Sequence, residues 1–410
     1  MVTHRSSFSI FAGFTLTVLG GMIFNIGGLF AGRSAVLLTN LQEIFQWVFL
    51  IYPLLLTVRG DINGILSGKL GTALHLGTIE PKWRKNTNRF YQLMSFIFII
   101  TVFDAVLVGL VASLLSFILG LSVNMIEILV ISLTTFVFGA ILSMILTFSL
   151  TFFIYKRKGD PDVLVYPIMS SINDILITLI FFSVGYCYRI WKPNFNLHLY
   201  IGIPIFTISV IFAFLLILKW RKAKYITDGI IQSLPTLSIT NLIAAGTGTV
   251  LASFQALIGS NPILLICYPA VISTVGSQGS VFANTTSTKL HLGTIKPTFS
   301  FFKTQDFVIS FFGILSVGLL LNLLYSAIGT GITSETISSS IYLRLLLLLL
   351  ATNFISFALV FMISMAASFL TYRFGLDPDN LVNPILSSSA DLITTSVLVL
   401  LSLSLFPIIV

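Results

Sequence analysis

The stretch DPDVLVYPIMSSINDIL at 160–176 returns as DPDNLVNPILSSSADLI at 377–393, a shift of 217 residues. A second block obeys almost the same shift. HLGTIEP at 75–81 recurs as HLGTIKP at 291–297, and the offset of 216 carries Tyr52-Pro53 onto Tyr268-Pro269, Gly60 onto Gly276 and Asn25 onto Asn241. Two ordered blocks at nearly one offset mean that the chain consists of two homologous halves fused in tandem. Within the longer block Asp160, Ser170 and Asp174 correspond to Asp377, Ser387 and Asp391.

The residues around these blocks belong in lipid. Of 410 residues 56% are hydrophobic and 9% charged, with a mean hydropathy of +1.03, whereas soluble domains carry about a quarter charged residues. Long apolar runs near 8–31, 41–58, 91–120, 126–154, 163–186, 198–218, 229–257, 262–275, 306–330, 340–371 and 382–406 predict about eleven membrane crossings, at roughly 20 residues each. The first run is too long for a signal peptide and reads as a retained span. The polar stretches between runs are too short for a nucleotide-binding or kinase module, which excludes ATP-driven pumping by this chain alone. Cys187 and Cys267 are too few for a disulfide framework or a zinc cluster.

The net charge of +8 follows the loops and gives no reason to invoke nucleic acid. One set of alternate loops holds fifteen basic residues, among them Lys82, Arg84, Lys85, Arg89, Arg221 and Lys222, and the other only Arg33, Arg189 and Lys192. The positive-inside rule then predicts a cytoplasmic N-terminus and an extracytoplasmic C-terminus in a multi-pass protein of the cell membrane. Five crossings per half would invert the second copy, but an extra helix near 198–218 returns the chain to its starting side. The expected fold is therefore an all-α polytopic membrane protein: two parallel five-helix repeats at 1–190 and 229–410, and at 191–228 a linking transmembrane helix with a basic loop. Such repeats are related by a pseudo-two-fold axis along the membrane normal, with a pore at their interface.

As one helix, 41–79 would span roughly 58 Å, about twice the hydrocarbon core, so it is expected to bend or break at Arg59-Gly60-Asp61-Ile62-Asn63-Gly64. Its counterpart is Gly276-Ser277-Gln278-Gly279-Ser280. Polar interruptions at matched places point to a permeation path, with Gly60, Asp61, Asn63, Gly276, Ser277 and Gln278 as lining candidates. A small-residue packing seam is the alternative.

Asp174 and Asp391 lie near the centres of their spans, where a carboxylate costs several kcal/mol unless water, a partner or a cation meets it. Across an axis their repulsion is relieved by a divalent cation, with oxygens of Ser170 and Ser387 one turn earlier. Few all-oxygen ligands with room for retained water suit magnesium as a transported ion rather than a resident cofactor. Asp160 and Asp377 precede these helices and read equally as caps. Asp104 is also deep in a span but faces leucine in the other half, which suits a structural hydrogen bond as well as an ion path.

These residues resemble the membrane domain of the MgtE magnesium transporters, in the fused two-repeat form of solute carrier family 41. The glycine-bearing second helix, here Gly60-Asp61-Ile62-Asn63 and Gly276-Ser277-Gln278-Gly279, and the Asp-Pro entry with an aspartate fourteen residues on carry the likeness. It implies that Asp174 and Asp391 are the central magnesium ligands, with the Ser170 and Ser387 carbonyls beside them. The second half departs from the pattern in lacking the usual asparagine after the glycine. Fused halves supply the interface that an unfused relative obtains by dimerising, so a monomer in membrane lipid is expected to function.

Two other functions share paired membrane acids. An intramembrane aspartyl protease resembles Tyr-Asp and Gly-x-Gly-Asp pairs, but here the acids follow Asn173 and Ala390, which speaks against an enzyme. A proton- or sodium-coupled transporter of another substrate uses midplane acids as relays.

Overall fold

A computed structural model describes residues 7–42, 45–121, 124–159, 161–191, 198–291, 295–333, 339–374 and 378–406. Among these residues there is no strand, and eleven helices are long and apolar enough to cross a membrane. The chain is an all-α, multi-pass membrane protein. In order the helices are α1 (Phe8–Gln42), α2 (Val48–His75), α3 (Asn88–Ile118), α4 (Met125–Lys156) and α5 (Pro161–Trp191). After the linking helix α6 (Ile203–Trp220) come α7 (Lys224–Ser253), α8 (Pro262–His291), α9 (Gln305–Thr333), α10 (Ser339–Phe374) and α11 (Pro378–Leu405).

The helix ends follow local chemistry. After α2 and α3 the backbone turns left-handed at Gly77 and Gly120, with φ of 66° and 70°. Each end carries the paired bonds of a Schellman turn: Thr78 N to Ala73 O with Gly77 N to Leu74 O, and Leu121 N to Ser116 O with Gly120 N to Phe117 O. Asn124 caps α4 by accepting from the Ile126 N–H at 3.0 Å. Helix α1 runs beyond the expected 8–31 because the 3₁₀ turns at Ile23–Ile26 and Val36–Leu38 keep helical dihedrals on both sides and tighten the helix without ending it.

Burial sorts the helices into rings. Helix α2 is enclosed along its whole apolar window and α8 nearly so, whereas α6 is mostly exposed and leans on α3 and α4. Exposed Ile208, Ile211, Phe214 and Leu215 on α6 are what a lipid-facing helix presents.

The two largest hydrophobic clusters among the described residues do not coincide with the two halves of the sequence. One joins α2 to α5 with Leu237, Ala244 and Leu251 of α7, and reaches Leu38 and Leu41 at the end of α1 and Tyr268 and Ile272 of α8. The other joins α8 to α11 with Val18, Met22 and Leu29 of α1. The first helix of each half thus bridges to the other half, so that α1 packs on α8 and α9 as well as on α5 of its own half, and α7 on α2 and α3 as well as on α11 of its own half. Glycine permits both contacts across the halves. A Cβ at Gly32 would lie 2.0 Å from Ile266 O, and one at Gly248, its counterpart at the shift of 216, would lie 2.1 Å from Leu50 O.

These contacts are backbone against backbone, so no side chain can rotate to relieve an added methyl. Gly32→Ala or Gly248→Ala is expected to destabilise the protein by about 1–3 kcal/mol, the usual range for overpacking. Gly13→Ala and Gly20→Ala, which meet nothing within 4 Å, should stay within about 0.5 kcal/mol of the wild type. Thermal unfolding of the purified variants in one detergent checks the contrast.

Candidate functional site

Helices α2, α5, α8 and α11 enclose a cavity between the two halves. Its walls are Leu56, Arg59 and Gly60 of α2, Tyr166, Ser170 and Asp174 of α5, Ile272, Ser273 and Gly276 of α8, and Ser387 and Asp391 of α11. Asp174, Asp391, Ser170 and Ser387 therefore come together as the repeat implied, with Gly60 and Gly276 beside them. About 20 Å³ is open to the centres of water-sized molecules, enough for a single water.

Hydroxyl donors cross the interface reciprocally. Thr57 Oγ1 of the first half donates to Asp391 Oδ2 at 2.5 Å, and Ser273 Oγ of the second half donates to Asp174 Oδ2 at 2.9 Å. Thr57 and Ser273 are separated by the same 216 residues. Behind them Tyr52 pairs with Thr178 at 3.2 Å and Tyr268 with Thr395 at 3.0 Å, again one bond in each half. Further from the cavity Thr147 donates to Asn63 Oδ1 at 3.3 Å, and its counterpart Ser364 to Gly279 O at 3.2 Å. The internal symmetry thus extends to individual hydrogen bonds.

Arg59 breaks it. Its Nη2 is ion-paired with Asp174 inside the protein, with Arg59 7% and Asp174 3% exposed. The corresponding place in the second half holds Val275. Nε and Nη1 of the same guanidinium have no hydrogen-bond partner. Sequence reading passed over Arg59 as one member of a polar interruption. The available signal was a single buried cation facing valine across the repeat.

The expected break at Arg59–Gly64 is absent: α2 runs continuously from Val48 to His75 and α8 from Pro262 to His291. The division falls earlier, where α1 ends at Gln42, so that α2 is 28 residues or about 42 Å long. Protein surrounds α2 along its whole apolar window, and Arg59, Asp61 and Asn63 each reach a partner on a neighbouring helix without any opening of the backbone, although Arg59 Nε and Nη1, Asp61 Oδ1 and Asn63 Nδ2 have none. Gly60 approaches Ser387 closely, since a Cβ there would lie 3.3 Å from Ser387 Oγ. The other lining candidates point elsewhere. Asp61 accepts from Ser388 Oγ at 3.3 Å, and Ser277 accepts from Asn25 Nδ2 at 3.1 Å. Gln278 accepts from Asn353 at 2.9 Å and donates to Ile314 O at 3.1 Å. Asn63 faces a neighbouring cavity. Asp104 accepts from Asn241 Nδ2, the hydrogen bond expected of a deep acid facing leucine in the other half. Asp160 and Asp377 lie outside the described residues.

The donor set is all oxygen: two carboxylates, the serine oxygens and a nearby tyrosine. Among the described residues no group of three or more His, Cys, Asp or Glu gathers for a metal. Two carboxylates with few further protein ligands suit a hard ion that keeps part of its water.

Two segments of the chain, 52–184 and 268–401, match the model of the MgtE family, described as a divalent cation transporter. Neither a curated protein nor a solved structure matches the chain. The two matched segments contain Asp174 and Asp391 at corresponding places.

The hydroxyl bonds predict unequal losses. Thr57→Val removes the single hydrogen-bond donor to Asp391 among the described residues and should lower stability by about 1–3 kcal/mol, the range for a buried group left unsatisfied. Ser273→Ala should lower it by less, because Asp174 retains Arg59. Unfolding of both variants in divalent-free buffer tests the order.

Proposed function

We propose, for a chain that belongs to the MgtE family of divalent cation transporters, that the transported ion is Mg²⁺ and that it passes between the two repeats at Asp174 and Asp391. The carrying observation is that the two aspartates, one from each half, reach the same cavity at the interface, each held by a hydroxyl from the opposite half. In a low-dielectric interior two carboxylates attract a dication through their summed charge. Ser170 and Ser387, with Gly60 and Gly276, supply small walls and oxygens that leave coordination positions to water, as magnesium prefers. The basic loops support a cytoplasmic N-terminus and an extracytoplasmic C-terminus. One chain contains both halves of the interface and functions as a monomer.

Asp174→Asn and Asp391→Asn should each abolish or severely reduce Mg²⁺ uptake into liposomes at matched folded protein, with Asp174→Asn the less stable of the two because it leaves buried Arg59 without its ion-pair partner. Wild-type uptake in both, with unchanged stabilisation by Mg²⁺ on heating, would remove the ion path from this cavity. Coexpressed Asp174→Asn chains should leave a wild-type partner active. Inhibition of that partner would place the functional interface between chains.

A further inference from the structure

We propose that Arg59 is an internal cation that fills the central site when no ion is bound, and that the need to displace it makes the site discriminate against monovalent ions. The proposal rests on the reading of Asp174 and Asp391 as the ion site. Arg59 lines the same cavity as both aspartates and is paired with Asp174 there. With a guanidinium beside two carboxylates, a net charge of about one negative unit remains when both are ionised, and the cavity has room for one water rather than a hydrated dication. This is a closed arrangement in which a side chain stands where an ion is to go.

Displacement has a destination. Arg59 also lines a second cavity of similar size, whose polar residues are Asn63, Thr101 and Ser143. The unpartnered Nε and Nη1 leave two donors to be satisfied by the hydroxyl and amide oxygens there, or by water. A guanidinium that turns toward this side, with the walls of the second cavity moving apart because it too has room for only one water, opens Asp174 without leaving the protein interior.

The exchange favours charge two over charge one. Replacing a guanidinium by sodium or potassium leaves the charge beside the carboxylates unchanged and forfeits a charge-assisted hydrogen bond. Replacing it by Mg²⁺ doubles that charge. Arg59 therefore filters ions by valence, a task that two oxygen-rich walls alone do poorly against abundant monovalent ions. The second half shows that the helix tolerates an aliphatic residue at this place, where it carries buried Val275.

The test uses the full chain in nanodiscs, heated in choline chloride, NaCl or MgCl₂ at one ionic strength. Arg59→Val should lower the Mg²⁺ concentration for half-maximal stabilisation by about tenfold or more, since a unit charge at contact range in a protein interior outweighs that factor. It should also acquire stabilisation by NaCl over choline chloride, and Mg²⁺ uptake that NaCl inhibits, neither of which the wild type should show. Asp174→Asn leaves Arg59 facing Asp391 alone and should lose its Mg²⁺ response, and Arg59→Val added to it should restore one by removing the opposing charge. That double variant also carries the test if Arg59→Val alone fails to fold. Wild-type Mg²⁺ and Na⁺ responses in Arg59→Val, or no recovery in the double variant, would overturn the role of Arg59. An unchanged Mg²⁺ response in Asp391→Asn would instead overturn the central site itself.

Discussion

A carboxylate at the middle of a bundle surrounded by lipid has to be compensated, and Asp174 and Asp391 meet that constraint across the boundary between the two halves. Among the described residues Asp391 is met from the other half, while Asp174 is shared between Arg59 of its own half and a donor from the other. Asp174 takes a hydrogen bond from Ser273, and Asp391 one from Thr57. Because leaving a buried ionised group unpaired is far more costly than an ordinary lost contact, these bonds tie the halves together in one register. The bridging first helices reinforce that register, with Gly32 and Gly248 allowing backbone contact at corresponding places.

The helical content, the duplication and the convergence of Asp174, Asp391, Ser170 and Ser387 were legible in the sequence because each left a periodic signal. Apolar runs gave the spans, and two blocks at nearly one offset gave the correspondence. The bridging by α1 and α7 was not legible, since an offset relates residues within the chain but says nothing about which half a helix packs against. The supposed break in α2 failed for a related reason. Hydropathy treats Arg59, Asp61 and Asn63 as intolerable, although the intolerance belongs to lipid and α2 meets none. Its polar groups bond to α4, α5 and α11 instead. Arg59 itself acquires meaning only from Asp174, 115 residues away.

The asymmetry between the halves is a consequence of fusion. In a homodimer a residue near the two-fold axis is present twice, so an arginine at the place of Arg59 would bring two guanidinium groups toward two carboxylates. A tandem chain can carry arginine in one copy and valine in the other, as it does at Arg59 and Val275. The same freedom appears at Asp61 and Ser277. It appears again at Asp104, which accepts from Asn241, whereas Asn25, the counterpart of Asn241, donates to Ser277. In the second half a neutral network of Gln278 and Asn353 lies behind the helix instead.

This division of labour bears on what the symmetry still does. The bonds preserved in both halves, those of Thr57 and Ser273 and of Tyr52 and Tyr268, set the positions of the helices that carry the acids. The groups that differ, Arg59, Asp61 and Asp104, set the field in which those acids sit. Geometry therefore remains under two-fold constraint while charge does not. Long-range charge changes the energy of an ion at the centre without requiring backbone movement, whereas a changed hydroxyl donor leaves a buried carboxylate exposed to the full loss of its partner. Divergence confined to charge is thus the course that alters ion preference while keeping the interface intact.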